Sequence, residues 1–151
     1  MYDDHTVTLG DLVIPNQSIG IATKIGPRAF SYQGILGLGP VALTESCVSD
    51  HQPVPTVMDN LVAQGQISKN VLGIYFVPST EQTAQGALTF GGFDHRATRT
   101  PMHYVEATKI FSAGKFLGIE QSITYGHKTI LPSNVGIIDT GTTLVMLSTS
   151  G

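Results

Sequence analysis

The sequence predicts a mostly β fold with one or two helices, and three observations carry that expectation. Stretches such as "HTVTLGDLVIPNQSIGIAT" alternate apolar and polar residues and are broken by turn-forming pairs, the period-2 pattern of half-buried strands. Charged residues make up only 13% of the chain, while Gly, Thr, Ser and Val are frequent, a composition that suits a β-rich secreted protein. One segment, "VPTVMDNLVAQGQIS", changes clearly to helical spacing.

In chain order, "HTVTLGDLVIPNQSIGIAT" reads as a strand, a turn at Gly10-Asp11, and one or two further strands divided at Pro15-Asn16. "FSYQGILGLGP" sets a short apolar run, Ile35-Leu36-Gly37-Leu38, between glycines, which predicts a buried strand ending in a tight turn. In the helical segment Val57, Met58, Leu61 and Val62 share one face, Thr56 supplies a cap and Gly65 a stop. "NVLGIYFVP" and "GALTFGGFD" return to strand character, joined by a polar loop. "MHYVEAT", "FLGIEQSITYG", "KTILP" and "VGIIDTG" continue as short strands with turn residues between them.

A chain of 151 residues with 41% hydrophobic content can bury a real core. A net charge of −3 without any run of Lys or Arg gives no electrostatic footprint for nucleic acid. No apolar stretch approaches the roughly 20 residues of a membrane span, so no membrane partner is expected. A single cysteine, Cys47, excludes an internal disulfide framework and a cysteine zinc site, and reads as a buried or idle thiol. Asn16-Gln17-Ser18 is an N-glycosylation sequon, with meaning only on a secretory route. The opening "MYDDHTVTLG" has neither the basic nor the apolar region of a signal peptide; the expectation is of a cut piece, with any signal upstream of it or with Met1 added on expression.

The chemistry concentrates in "GIIDTGTT", residues 136–143. An aspartate following an apolar strand and leading into Thr-Gly can sit at the tip of a tight turn. Glycine lets backbone approach the carboxylate, and hydroxyls and amides can donate to it. Such bonds favour the ionised form, whereas burial favours the protonated one. Two carboxyls about 3 Å apart share a proton; one then activates water while the other protonates a substrate carbonyl. A solvated turn in which Asp139 merely caps local amides is the alternative, and the apolar flanks "GII" and "TLVML" argue against it by predicting that both sides of the turn are buried.

At these residues the sequence resembles a known family. "GIIDTGTTLVML" looks like the second active-site segment of pepsin-like aspartic proteases. The likeness runs through nearly the whole chain in the family's order. "HTVTLGDLVIPNQSIGIAT" is similar to the strand pair after the first-lobe flap, and "QGILGLGP" to the first-lobe segment that packs beneath the catalytic loops. "VPTVMDNLVAQGQISKNVLGIYF" resembles the helix and strand leading to the lobe crossing, "GALTFGGFD" the Gly-Glu-Leu-Thr-Phe-Gly-Gly signature, and "GIEQSITYG" the strand before the second aspartate. The absence of paired cysteines and the "NQSIGIA" segment are most similar to secreted fungal members, particularly those of basidiomycetes. Gln33 stands where the family usually has Asp, and Ala87 where it often has Glu.

The resemblance implies a partial pepsin-like fold, the end of a first lobe over residues 1–76 and the lobe crossing with the start of a second lobe over 77–151, expected to form one compact unit. It implies Asp139 as one catalytic acid, Thr140, Gly141 and Thr142 as its supporting loop, Ile35, Leu36 and Gly37 as a cleft-support strand, and a peptide or protein substrate, with no metal or cofactor. The family needs two Asp-Thr-Gly segments and this chain holds one. One copy of each lobe element survives, so a permuted single lobe or a swapped homodimer is a further expectation, and a homodimer would pair two Asp139 side chains. A monomer is not expected to cleave peptides. Three classes of function remain open: an acid endopeptidase; a non-catalytic secreted binding or immunomodulatory protein using open strand edges; and a piece without function of its own, left by autolysis or by expression of part of a gene.

Other signals lead nowhere comparable. Gly37-Leu38-Gly39-Pro40-Val41-Ala42 fits a dinucleotide-loop form, but no βαβ rhythm surrounds it. The five histidines show no pair at metal-ligand spacing. No G-x-S-x-G occurs, and Cys47 has no evident base. Asp94-His95-Arg96 with Arg99 reads as a solvated polar turn.

Overall fold

A computed structural model describes residues 2–22, 24, 33–45, 47, 52–78, 80 and 85–148. The elements are β1 (Tyr2–Leu9), β2 (Leu12–Gly20), α1 (Val57–Ala63), β3 (Leu72–Tyr75), β4 (Ala87–Phe90), β5 (Gly118–Tyr125) and β6 (Lys128–Ile137), with 3-10 turns at Val41–Thr44, His95–Ala97 and Ala113–Lys115. The mostly β expectation holds, and among the described residues the strands pair as three antiparallel two-stranded sheets, β1-β2, β3-β4 and β5-β6. The chain divides into two compact units, Met1–Met102 and His103–Gly151. That division by contact is a different matter from the correspondence to family lobes expected for 1–76 and 77–151.

In the first unit, β1 and β2 meet across the two-residue turn Gly10-Asp11, with Leu9 facing Leu12. Gly10 has φ +60, and glycine at the first turn position is what a tight hairpin of this kind favours, because its twist matches that of the strands. Val7 and Leu9 on β1 and Leu12 and Ile14 on β2 then fall on one face, at spacing two, and pack into the core. Alternation stops at Pro15. Val7 pairs with Ile14 and His5 with Gln17, so Pro15 and Asn16 stand against Thr6 alone. This bulge accommodates a residue that has no amide to donate, and β2 continues through the point where the sequence suggested a break. Gln17 is consequently buried. Its side-chain amide donates to the Pro55 carbonyl at 3.3 Å and to the Ser18 carbonyl at 3.2 Å. Its oxygen accepts from Asn60 Nδ2 at 2.9 Å.

Helix α1 is the expected one. The Thr56 backbone amide and hydroxyl donate to Asp59 Oδ2 at 2.8 and 2.7 Å, and the Asp59 amide donates to Thr56 Oγ1 at 3.4 Å, a capping box. At the other end Gly65 has φ +70; its amide donates to the Val62 carbonyl and that of Gln66 to Leu61, at 3.0 and 2.9 Å. This pair of bonds is the Schellman closure that a glycine allows. Between the caps Val57, Met58 and Leu61 are buried and meet Ile14 and Ile67, with Leu38, Leu72 and Phe90 around them. Ile14 and Leu61 have no exposed surface. β3 and β4 pair Leu72 with Phe90 through Tyr75 with Ala87, and Gly91, at φ +83, lets the chain pass Ile67, whose Cβ would lie 3.1 Å from any Cβ at that position.

Two expected strands do not form. Residues 33–38 have no ladder partner among the described residues, and Ile35 is 78% exposed with Leu36 also exposed. The run is neither buried nor a strand; only Leu38 reaches the core. A strand exists only where a second strand takes its amides and carbonyls, and no described segment does so here. Residues 102–108 likewise belong to no strand, and are held at their end by the Thr108 amide donating to the Gly118 carbonyl at 2.8 Å. Cys47 is exposed, not buried.

In the second unit the hairpin β5-β6 turns at Gly126-His127, again with a glycine at φ +60 in the first turn position. "KTILP" and "VGI" fuse into a single strand: Ile123 pairs with Leu131 and Gln121 with Asn134, leaving Pro132 and Ser133 opposite one residue. Ala113 and Leu131 are its buried apolar side chains among the described residues.

Leu61→Ala should destabilise the first unit by about 2–5 kcal/mol, the usual cost of such a deletion in a closed core. Thr56→Ala should cost about 0.5–2 kcal/mol through loss of the cap. Urea unfolding followed by far-UV circular dichroism measures both, and equal effects would mean that Leu61 is not the anchor of the core.

Candidate functional site

β6 delivers the aspartate. After the bulge its register runs Asn134 with Gln121, Val135 with Glu120, Gly136 with Ile119 and Ile137 with Gly118. The ladder then extends one further bond, the Ile138 amide donating to the Leu117 carbonyl at 2.9 Å. Asp139 is the first residue past that bond, where the chain turns. Next to Leu117, Gly118 lets the segment before β5 pass close to the strand: a Cβ there would lie 2.6 Å from the Ala113 carbonyl oxygen and 2.8 Å from Thr108 Cγ2. Sequence reasoning does not reach the anchoring of the loop by Leu117. The signal available is the apolar start of "FLGIEQSITYG", whose register against "VGII" depends on the bulge.

The turn wraps the carboxylate. The Gly141 amide donates to Asp139 Oδ1 at 2.9 Å, and the Thr142 hydroxyl donates to Oδ2 at 2.6 Å. The Thr142 amide reaches the Asp139 carbonyl at 3.4 Å. Both oxygens are therefore held by donors two and three residues on, an Asx-type arrangement. A Cβ on residue 141 would lie 3.2 Å from Oδ1, tighter than ordinary contact, so the glycine serves the close approach. Thr140 makes no hydrogen bond to Asp139; it occupies the turn between the acid and its two donors. Of the expected supporting residues, Gly141 and Thr142 touch the acid.

The Thr142 hydroxyl, followed by the Gly141 amide, holds the Asp139 carboxyl below the ordinary carboxylate range, with slight burial opposing them. No charged group contributes to this shift among the described residues. The acid is exposed, and its apolar flanks are not covered as expected: Leu144, Val145 and Met146 are 74%, 86% and 77% exposed, and residues 142–148 form no strand. No described side chain of the second unit packs over them. A hollow in that unit is lined by residues 105–110 and Glu120 and does not include Asp139.

Elsewhere, the stretch 37–42 leads into a 3-10 turn of four residues, not into the long helix a dinucleotide site requires. Asp94 caps its own short turn and pairs with Arg96 at 3.0 Å in solvent. Among the described residues no three His, Cys, Asp or Glu side chains gather as a metal site, and no helix is long and apolar enough to cross a membrane.

Compared with known proteins, the chain matches the family model described as eukaryotic aspartyl protease over residues 1–151. It is 45% identical over 148 residues to Polyporopepsin of Irpex lacteus, covering 95% of this chain and 43% of that protein. It is 34% identical over 147 residues to Rhizopuspepsin of Rhizopus chinensis, covering 93% of this chain and 34% of the relative. The crystal structure of aspartic proteinase from Irpex lacteus superposes with a TM-score of 0.89 at 44% identity, over 97% of this chain and 44% of that one. The chain thus spans less than half the length of these relatives.

The lowered midpoint of Asp139 has a sign that can be checked. The turn gains stability from the ionised carboxylate at pH above the ordinary carboxylate range, and loses it as pH falls through the lower folded midpoint. Carboxyl-carbon NMR titration should place the Asp139 midpoint below the ordinary aspartate range, and Thr142→Val should move it upward. A midpoint unmoved by the substitution would show that the hydroxyl does not hold the acid.

Proposed function

Because the chain belongs to the eukaryotic aspartyl protease family, we propose that it supplies one acid of a two-carboxylate endopeptidase site and needs a second carboxylate from outside these residues to cleave peptide. The observation that carries the proposal is the state of Asp139: wrapped by the Gly141 amide and the Thr142 hydroxyl, held toward its ionised form, and without a carboxylate partner in its own hydrogen-bond set. A carboxylate so held is suited to take a proton from water attacking a peptide carbonyl. The carbonyl oxygen must be protonated by a second acid, and an uncharged neighbour about 3 Å away is what sharing one proton would provide. The exposed apolar residues 144–146 support the same conclusion, since a working site of this kind excludes water. The substrate class is peptide or protein, and the location extracellular, as the likeness to fungal pepsins suggests.

Alone, the 151-residue chain should show no peptide cleavage at acid pH. Grafted in place of the matching segment of Polyporopepsin, it should support cleavage, and Asp139→Asn in that chimera should reduce the rate by at least about 10²–10⁴-fold, the usual worth of a positioned acid or base. Cleavage by the isolated chain that rises with the square of its concentration and is lost in Asp139→Asn would instead mean that two copies supply the two acids. Cleavage surviving the substitution would remove Asp139 from the reaction.

A further inference from the structure

The bulge in β2 separates two neighbours in opposite directions. Gln17 turns into the protein and is satisfied there by Pro55, Ser18 and Asn60. Pro15 and Asn16, the two residues standing against Thr6, are both exposed. Asn16 has φ 55, a left-handed conformation that asparagine tolerates better than other side-chain-bearing residues. Its amide takes part in no hydrogen bond among the described residues. The adjoining backbone is already tied down from the other side, where Gln64 Nε2 donates to the Pro15 carbonyl at 2.9 Å. A bulky group on Nδ2 would thus displace no contact of the core. Ser18, two residues on, completes the acceptor tripeptide and fixes its hydroxyl on Asp4 Oδ1 at 2.7 Å in the folded state.

We propose that Asn16 is an N-linked glycosylation site that accepts an oligosaccharide from a polyprenyl diphosphate carrier. The proposal rests on the extracellular location inferred for the chain. In the transfer Nδ2 forms a bond to the anomeric carbon as the bond from that carbon to the carrier's phosphate oxygen breaks; Nδ2 loses a proton and the polyprenyl diphosphate leaves. No oxidant or metal redox step enters the balance. Asn60, Asn70 and Asn134 are followed two residues on by Val62, Leu72 and Gly136, so Asn16 lies in the chain's single sequon and the modification adds one glycan. Transfer to the unfolded chain, followed by folding, leaves Gln17 free to turn inward and carries the glycan on the solvent side of the bulge. There it covers a strand that, among the described residues, belongs to a two-stranded sheet, the kind of edge that otherwise invites pairing with another chain.

The experiment has two arms. The chain fused to a signal sequence and translated with endoplasmic-reticulum microsomes should gain one endoglycosidase-sensitive increment in the protease-protected fraction. Asn16→Gln and Ser18→Ala should each abolish the increment, and Ser18→Thr should keep it; a protected wild-type chain without a glycan overturns the proposal. Peptide mapping of the protein from its native culture should find position 16 glycosylated, and converted to aspartate by peptide-N-glycosidase, in the medium. Secreted protein unmodified at position 16 overturns the glycosylation alone. Protein confined to the cells overturns the extracellular location and, with it, the modification in the native setting.

Discussion

Each of the two long hairpins carries a proline in its second strand, and a proline has no amide hydrogen to give a ladder. The chain answers this in the same way twice. Pro15 with Asn16, and Pro132 with Ser133, are pushed into bulges that set two residues against one. Residues beyond each bulge are shifted by one position relative to simple alternation, and in a strand a shift of one exchanges the faces. In β2 the shift sends Gln17 inward to the side chain of Asn60 and leaves Asn16 in solvent. In β6 it adds to a second one-residue shift, at Ile130 between the Thr124–Thr129 and Ile123–Leu131 pairs; together they set the pairs from Asn134 to Ile137, so that Ile138 makes the last ladder bond and Asp139 is the first residue free to turn. The register of the acid is a consequence of both shifts, the one at Ile130 and the one at Pro132-Ser133.

Local chemistry is legible in the sequence wherever structure is closed by neighbours along the chain. The Gly10 and Gly126 turns, the Thr56–Asp59 capping box and the Gly65 stop all act within six residues, and all appear as the residue types require. The wrapping of Asp139 is of the same kind, since its donors are Gly141 and Thr142. The failures share a different character. Ile35-Leu36-Gly37 and "MHYVEAT" have the composition of strands, but a strand is defined by a partner that composition does not name. None of the described segments provides one. Gln17 is unreadable for a related reason: a polar residue three positions after Ile14 looks outward-facing until the bulge is known.

Core and site draw on different kinds of support. The first unit closes around side chains from a hairpin, a helix and a short sheet, with Ile14 and Leu61 inaccessible to water, so its geometry is over-determined by packing. The Asp139 loop has one ladder bond behind it and two bonds to its own carboxylate, with apolar neighbours in solvent. It is locally specified and globally uncovered. The hydrogen bonds are enough to choose the orientation of the carboxyl, because both oxygens are taken, yet they add nothing that would exclude water from it.

That difference determines what a second acid would do. For an exposed carboxylate, water screens a like charge, and two ionised groups can coexist at modest cost. Once the apolar flanks are covered and the dielectric falls, the two charges cannot both persist, and one carboxyl must keep its proton. Which one does so depends on the bonds each already has. The Thr142 hydroxyl and the Gly141 amide stabilise charge on Asp139, so a partner with poorer donors would hold the proton and Asp139 the charge. A partner wrapped in the same way would make the pair degenerate, and the proton would belong to the pair and not to either residue. The loop therefore carries the bias for one half of an acid–base pair, and burial beside a second carboxyl is the condition under which that bias acquires chemical consequence.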